Sequence, residues 1–549
     1  MNQNFGPPPP PPPPPNQQHQ QQYNQFQPAP RYQQANHQQY QPQFGHNQHY
    51  YQHQPGNNQQ PSRTDLEYQG SEKPVESNNF DESFKIQKPR FNDWYFSIFF
   101  ICVVAGFGVV AGITINAYRQ THSFQGNSIY DSNNSFTLNT NSVILFSFVI
   151  VISLVFSFLL MLVARTWPKQ FITLGLILNV LLGLATALYF LIVRYWSAGI
   201  VFLIFTLITA LCFWSCRSRI PFSATVLRIV IDVMKRYPST LLTSLIGIIC
   251  SAAFSALFVI VIVATYIKYD ANQNNPGCNV NGGSCSQSKL IGILVFVFFA
   301  GFYISEVFKN VIHVVIAGVY GTWYYLDNSD QGSPRFPALG ALKRALTYCF
   351  GSICFGSLIV SLLQLTRQII VIARNNAFAS GNNCAGCCLI IIDSFMSLIE
   401  WAIRYFNHYA YCYVALYGKS YIRSAKDTFD LMKRKGMDAL VNDSIINTSL
   451  NFFALFMGYL TALFTWLYLR YTKPAYNSDG SYNAPLIAFA FLISMQITRV
   501  SLSVIDSGVS TFFVALAKDP EVFQMTNRDK FDEIFRNYPQ VLEKLNSDH

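Results

Sequence analysis

The stretch that decides the fold opens with the run ALKRALTYCFGSICFGSLIVSLLQLTR, at residues 341–367. After a short loop comes a second run, DSFMSLIEWAIRYFNHYAYCYVALYGKSYIRSAKDTFDLMKR, at residues 393–434. Each run contains an apolar segment of about 20 residues or more, the length with which an α-helix crosses the hydrocarbon of a bilayer. Polar and ionisable side chains interrupt both segments, and inside a membrane such groups usually serve a function. The stretch therefore predicts two membrane helices that carry a polar site.

Apolar segments of similar length recur on both sides of this stretch. They predict ten spans, near residues 94–118, 141–163, 171–193, 198–216, 239–266, 289–315, 342–366, 388–416, 445–469 and 485–514. Helices are expected because only a helix satisfies its backbone hydrogen bonds within one segment in lipid. The predicted fold is all-α, a polytopic membrane protein whose bundle of about ten transmembrane helices occupies residues 91–516.

The composition agrees with a membrane protein and excludes other classes. Hydrophobic residues make up 51% of the 549 residues, and charged residues only 12%, about half the charged fraction of soluble domains. The net charge is +10, but the basic residues do not cluster on one face as nucleic-acid binding requires. The sequence has no phosphate-binding loop, zinc-protease motif or nucleophile elbow. We therefore expect no enzyme, no cofactor and no nucleic-acid partner.

The first 90 residues differ in composition from the rest of the chain. Residues 7–15 are all proline, and Gln, Asn, His and Tyr dominate residues 17–60. A segment this polar does not bury enough apolar surface to offset the conformational entropy lost on folding, so we expect a disordered tail over residues 1–90. Its proline run favours polyproline II helix, which either binds an aromatic-lined groove of a partner or stays solvated. Residues 517–549 are expected to form a second tail.

The basic residues predict how the chain is oriented in the membrane. An even number of spans places both termini on the same side, and the loops of that side carry about twice as many Lys and Arg residues as the others. Because Lys and Arg are enriched in cytoplasmic loops, both termini are predicted to be cytoplasmic.

Two features of the predicted outer loops agree with this orientation. Asn133 lies in an Asn-Asn-Ser sequon of the first outer loop and is predicted to carry a glycan. Cys278 and Cys285 lie in the loop 270–288, where an oxidising compartment allows a disulfide. The alternative partners are the cysteines of the next outer loop, Cys384, Cys387 and Cys388. A second cysteine pair at the spacing of a zinc site is not evident, so we expect no metal.

Two spans carry ionisable residues at helical spacing. In the sixth span Glu306, Lys309 and His313 are three and four residues apart and so share one face. The eighth span carries four such residues on one face, Asp393, Glu400, Arg404 and His408. Membrane helices turn such groups toward each other or toward a water-filled cavity. Three interpretations stay open: a polar pathway between helices, ion pairs that neutralise the two glutamates, or side chains that snorkel to the interface.

Aromatic residues follow Glu400 along the eighth span. A quaternary ammonium has no proton to donate, so its sites combine aromatic faces, worth about 0.5–2 kcal/mol each, with a carboxylate. Trp401 and Tyr405 beside Glu400 provide both. The same residue types form the aromatic belt at the ends of membrane spans. A cation cage and a belt are therefore both open interpretations.

Several short motifs fit one pattern. They include the Gly-Ser-x-x-x-Gly-Ser-Leu-Ile run at residues 351–359, with Gln364 and Arg367 after it, and the set Glu400, Tyr405, Asn407, Ala410 and Tyr411. Further members are Tyr417-Gly418-Lys419, Ser424-Ala425-Lys426-Asp427, Ala317-Gly318, Trp323-Tyr324, Val504-Ile505-Asp506 and Asp519-Pro520. Over residues 94–519 the chain thereby resembles the choline transporter-like family. Its Gln-rich tail is similar to the fungal branch of that family.

The resemblance implies a plasma-membrane transporter that moves choline or a related organic cation by gradient-driven alternating access. We predict a cation site in a cavity between the sixth, seventh and eighth spans. Its predicted residues are Glu306, Gln364, Glu400, Trp401, Arg404, Tyr405, Asn407 and His408. The alternative is a non-transporting membrane scaffold that recruits partners through the tail, although a scaffold has little need of carboxylates at mid-membrane depth. The sequence determines neither the oligomeric state nor the coupling ion.

Overall fold

The computed structural model describes residues 90–121, 140–269, 286–327, 332–434, 436–472 and 483–537. The α-helices of these ranges are α1 (Trp94–Thr121), α2 (Thr140–Thr166), α3 (Pro168–Ile192), α4 (Trp196–Cys216), α5 (Ile220–Arg236), α6 (Ser239–Tyr269), α7 (Gln287–Leu326), α8 (Pro337–Leu346), α9 (Phe350–Ala379), α10 (Asn383–Tyr417), α11 (Tyr421–Arg434), α12 (Gly436–Thr472), α13 (Asn483–Lys518), α14 (Pro520–Thr526) and α15 (Arg528–Asn537). The described part of the chain contains no strand, which confirms the all-α fold.

Ten helical segments of the described ranges are long and apolar enough to cross a membrane. They are Trp94–Ala117, Ser147–Thr166, Pro168–Ile192, Trp196–Arg236, Ser239–Tyr266, Ser288–Leu326, Phe350–Ala379, Asn383–Tyr417, Asn442–Thr472 and Leu486–Lys518. Each overlaps one predicted span, so the prediction of a ten-span membrane protein is confirmed. The orientation of the bundle stays a prediction, and the predicted tail over residues 1–90 lies almost wholly outside the described residues.

The predicted start of the seventh span at residue 342 is wrong. The span starts at Phe350, and the residues before it form the separate short helix α8. The polypeptide leaves the helical conformation between α8 and α9, where the amide of Cys349 donates to the carbonyl of Arg344 at 3.1 Å. Apolar residues continue through this break, so hydropathy alone does not reveal it. The span extends instead to Ala379, well beyond the predicted end at residue 366.

Helix α7 organises the bundle, because residues on it belong to three separate clusters of buried apolar side chains. The largest cluster joins α7 to α2, α3, α5, α10, α12, α13 and the carboxyl-terminal helices α14 and α15. A second cluster joins α7 to α8, α9, α10 and α11. The third joins α7 to α1, α6 and α9. Polar groups on α7 therefore face neighbours on several sides.

Helices α9 and α10 approach each other closely at a row of small residues. Gly356 is buried, and a Cβ atom added to it would lie 2.4 Å from the hydroxyl oxygen of Tyr411. The Asn407 amide of α10 donates to the Gly356 carbonyl at 3.2 Å. Small residues permit this approach between membrane helices. The Gly-Ser run thus packs two helices tightly and leaves little space between them.

The residues that precede α1 are held against three other segments. The Asp93 carboxylate accepts hydrogen bonds from the Ser352 hydroxyl at 2.7 Å and from the Tyr421 amide at 2.9 Å. The side chain of Asn92 donates to the carbonyl of Gly418 at 2.7 Å. Gly418 ends α10 with φ of 60°, a left-handed conformation that glycine adopts without strain. These contacts fix α1 to the start of α9 and to the junction of α10 with α11.

A second junction lies at the carboxyl end of α7. The hydroxyl groups of Tyr325 and Tyr417 both donate to one oxygen of the Asp519 carboxylate, at 2.7 and 3.0 Å. We call these three residues the Asp519 cluster. It joins the ends of α7 and α10 to the residue that follows α13. The neighbouring Tyr324 ring stacks on Phe523 of α14, with ring centres 5.4 Å apart, so this aromatic region serves packing.

Candidate functional site

A cavity of about 630 Å³ lies between α6, α7, α10 and α13. Its polar lining consists of Ser244, Ser251, Ser255, Glu306, Lys309, Asn310, His313, Arg404, Asn407, His408, Gln496, Arg499, Ser503, Asp506 and Ser507. All of these residues belong to segments that are able to span a membrane. The volume is that of a typical small-molecule site. A polar chamber of this size within apolar helices has the properties of a solute-binding site.

The cavity does not lie between the sixth, seventh and eighth spans as predicted. It is formed by the fifth, sixth, eighth and tenth, and α9, the seventh span, contributes only Val360 to the lining. The tight packing of α9 on α10 at Gly356 explains the difference, because it closes the space between those two helices. The spacing of residues along one helix identifies a shared face but not the helix that this face meets.

Six of the ionisable residues form a continuous chain of ion pairs across α7, α9 and α10. We call it the ion-pair chain, and it runs through Glu306, Arg404, Glu400, Arg367, Asp393 and Arg374. Arg404 pairs with both glutamates, and its contact to Glu400 is 2.9 Å. Arg367 pairs with Glu400 at 3.1 Å and with Asp393 at 3.0 Å. Three arginines thus balance three carboxylates, the arrangement expected of structural ion pairs.

Two stacked histidines form part of the cavity wall. The rings of His313 and His408 have their centres 4.0 Å apart. Nε2 of His313 lies 2.9 Å from the carbonyl oxygen of His408, and its Nδ1 lies 2.8 Å from the hydroxyl of Ser507. Because a carbonyl only accepts, Nε2 of His313 carries a hydrogen. Nε2 of His408 lies 2.9 Å from the hydroxyl of Ser510, so both rings are held in fixed orientations.

Three charged residues of the cavity stand outside the ion-pair chain. Asp506 accepts a hydrogen bond from the Asn447 amide at 2.5 Å, and its other oxygen lies 3.7 Å from Nε2 of His408. Lys309 and Arg499 are exposed side chains in the cavity lining. Within the described ranges neither of them has a carboxylate at salt-bridge distance. These side chains are available to a solute.

The structure brings together only four of the eight predicted site residues. Those that line the cavity are Glu306, Arg404, Asn407 and His408. Asn407 is held on both sides, because it donates to Gly356 and its oxygen accepts from the Tyr421 hydroxyl at 2.5 Å. Glu400 lies behind the lining, in the ion-pair chain.

The other three predicted residues lie away from the cavity. Trp401 is 63% exposed on the outside of α10, and its ring stacks on Tyr405 with centres 5.8 Å apart. Tyr405 in turn contacts the ring of Tyr409. Gln364 of α9 is also absent from the lining. None of the described residues that line the cavity is Phe, Tyr or Trp, so the predicted aromatic cage is not assembled in this conformation.

The sequence reasoning missed the contributions of α6 and α13. Their polar lining residues have helical spacing, seven and four for Ser244, Ser251 and Ser255. On α13 the spacing is three, four and three for Gln496, Arg499, Ser503 and Asp506. The signal was therefore present in the sequence. It is weak for α6, because a serine in a membrane helix also bonds to its own backbone.

The remaining predictions fall partly outside the described residues. Asn133, Cys278 and Cys285 all lie there, so the glycan and the disulfide stay predictions. The three cysteines that begin α10 are free thiols. Among the residues that the structure describes, no group of three or more His, Cys, Asp or Glu side chains is arranged to hold a metal ion.

A bundle of ten membrane-spanning helices around a polar chamber is the architecture of a multi-pass membrane transport protein. A family model described as plasma-membrane choline transporter matches residues 200–521. The protein PNS1 of Debaryomyces hansenii is 66% identical over 479 residues, which cover 87% of this chain and 93% of that protein. PNS1 of Saccharomyces cerevisiae is 54% identical over 472 residues, covering 85% of this chain and 88% of that protein. The chain belongs to the choline transporter-like family, in its fungal branch.

Proposed function

We propose that this protein carries choline or a related small organic solute across the plasma membrane by gradient-driven alternating access. The solute would bind in the cavity between α6, α7, α10 and α13. The observation that carries the proposal is this chamber of about 630 Å³, whose lining includes charged side chains from three helices. The family supports it, because its description is that of a plasma-membrane choline transporter.

The position of the cavity supports alternating access. Along α7 and α10 the cavity residues lie between two junctions, the ion-pair chain at Glu306 and Glu400 and the Asp519 cluster at Tyr325 and Tyr417. A solute that enters from one side and leaves to the other has to pass first one junction and then the other. Each junction consists of polar contacts, which can break and re-form without exposing a large apolar surface.

The scaffold alternative has its support in the polar tail over residues 1–90. A scaffold does not require a chamber lined by charged groups, and charged groups within spans are costly unless they serve a function. We therefore place transport first. Partner recruitment by the tail is compatible with transport and stays a separate prediction.

The test is uptake of radiolabelled choline by cells that express the full chain, compared with Asp506→Asn at equal surface level. We expect saturable uptake in the wild type and a loss of about 10-fold or more in the variant, because the quaternary ammonium loses a Coulombic attraction to the carboxylate of about 1–4 kcal/mol at about 4 Å. Asp532→Asn is the matched control, since it makes the same change at an exposed position outside the cavity. Saturable uptake that is equal in the two variants would exclude the cavity as the solute site.

A further inference from the structure

The charges that face the cavity are of two kinds. Those of the ion-pair chain compensate one another, three arginines against three carboxylates. Glu306 and Arg404 belong to this chain, so they add no net charge to the lining. What remains are two cations, Lys309 and Arg499, and one carboxylate, Asp506. A solute therefore meets both signs of charge, with the positive sign in excess.

Outside the ion-pair chain, the two cations share the cavity lining with one carboxylate, Asp506, and the described part of the protein places no carboxylate at salt-bridge distance from either. Neither Lys309 nor Arg499 forms an ion pair there, although both lie within membrane-spanning segments. Unpaired charge at such a depth is retained where it contacts a water-filled pathway or a substrate. The natural partner of a lysine and an arginine is a carboxylate or another anionic group, which forms charge-assisted hydrogen bonds with both.

A solute with only a positive charge fits this lining poorly. Its cationic group would be attracted by Asp506, yet it would share the chamber with Lys309 and Arg499. The lining residues described here include no Phe, Tyr or Trp ring to contribute cation–π attraction. A solute that carries its own anionic group removes this conflict, because each of its charges finds the opposite sign.

We propose that the cavity selects a small zwitterion, with its cationic group at Asp506 and its anionic group at Lys309 and Arg499. This inference rests on the proposed transport function and, within its class of small organic solutes, prefers a zwitterion to choline. It makes Lys309 and Arg499 specificity-determining residues for the anionic group.

The experiment uses three probes of nearly equal size. Glycine betaine carries a trimethylammonium group and a carboxylate, choline keeps the trimethylammonium and has a hydroxyl group, and 3,3-dimethylbutanoate keeps the carboxylate and has a neutral tert-butyl group. Binding of each to the purified full-length protein in lipid nanodiscs is measured by titration calorimetry. We expect betaine to bind at least tenfold more tightly than either of the others, because it alone satisfies both signs of charge.

Substitutions of the two cations test whether they cause the preference for betaine. Lys309→Met and Arg499→Met should each weaken betaine binding tenfold or more and leave choline binding unchanged or tighter. Lys426→Met is the matched control, since Lys426 is exposed on α11 and lies outside the cavity, and betaine binding should stay at the wild-type value. The comparison of the three probes on the wild type stands even where a variant fails to fold.

The outcomes separate this inference from the proposed function. Choline binding as tight as betaine binding, or no saturable binding of betaine, overturns the inference. If either of these results is obtained and choline is still taken up into proteoliposomes, the proposed transport function is retained while the zwitterion inference is rejected. Preferential binding of betaine without uptake of any probe into proteoliposomes supports the zwitterion site and removes the transport function.

Discussion

Replacing Arg404 with methionine removes the cation that Glu306 and Glu400 share. The two carboxylates are only 7% and 8% exposed. Glu400 keeps a second partner, because Arg367 lies 3.1 Å from its other oxygen. Glu306 has no other Lys or Arg at salt-bridge distance within the described residues, so its charge is left without compensation. The cost of this substitution therefore comes mainly from Glu306.

Removing one partner of a buried ion pair costs about 3–5 kcal/mol. The Arg404 side chain is itself 26% exposed, so solvent screening places the expected loss toward the lower end of that range. Thermal unfolding of the purified protein in nanodiscs measures the loss as a lower transition temperature. Arg528→Met is the control, because Arg528 is exposed and lies outside the ion-pair chain.

The double variant Glu306→Gln with Arg404→Met tests the assignment of the cost. It removes the uncompensated carboxylate, so we expect it to recover most of the stability that Arg404→Met loses. A double variant no more stable than Arg404→Met would refute the assignment to Glu306. An Arg404→Met protein as stable as the wild type would refute the structural role of the ion-pair chain.

Three further substitutions have defined outcomes. Gly356→Ala should lower the unfolding temperature, because the new methyl group would lie 2.4 Å from the Tyr411 hydroxyl and overpacking costs about 1–3 kcal/mol. Gly112→Ala is the control and should change the unfolding temperature little, because no atom lies within 4 Å of the added Cβ. Asp519→Asn removes the charge that accepts two tyrosine hydroxyls and should cost about 1–3 kcal/mol in the same measurement. Burial raises the pKa of Asp327 above its ordinary value of 3.8, with Arg236 opposing it. Near this pKa the folded state binds more protons than the unfolded state, so the free energy of unfolding should fall as the pH rises from 3.8 through the raised pKa. Asp327→Asn should abolish that fall, which thermal unfolding measured at a series of pH values detects.

The number of spans could be predicted because it depends on local properties. An apolar run of sufficient length forms a helix in lipid whatever its neighbours are. The start of the seventh span could not be predicted in this way. The break before Phe350 coincides with the packing of Gly351 against the backbone of Asn92 and Asp93, which are remote in sequence. Hydropathy carries no information about such a contact.

The candidate site was predictable in its chemistry and not in its location. The spacing of Glu400 and Arg404 predicts their contact, because residues four apart on a helix are neighbours. The pairing of Glu400 with Arg367 depends on how α9 lies against α10, which no local pattern specifies. The role of Asp506 depends likewise on the approach of α13 to α7 and α10. For the ionisable residues of the eighth span, the structure favours ion pairing at Glu400, which contacts Arg404. It favours a polar cavity at His408, which belongs to the cavity lining.

The two junctions that flank the cavity are held by different kinds of polar contact, and a change in the strength of either bears on which side opens. The Asp519 cluster is held to that carboxylate by two hydrogen bonds, each worth about 1.5–3 kcal/mol. The ion-pair chain joins α7, α9 and α10 through several ion pairs, and breaking one costs about 3–5 kcal/mol. Two such hydrogen bonds amount to about 3–6 kcal/mol, close to the cost of breaking the one ion pair, Glu306–Arg404, that joins α7 to the chain. Weakening the Asp519 cluster should therefore shift the balance toward opening at that cluster.

The orientation predicted from the basic residues places the Asp519 cluster on the cytoplasmic side. We then expect Asp519→Asn to favour a state open to the cytoplasm. Because Cys412 is buried on α10 between the cavity and the cluster, its reaction with a thiol reagent added from the cytoplasmic side should become faster in this variant. An unchanged rate would show that the cluster does not restrict access to the cavity.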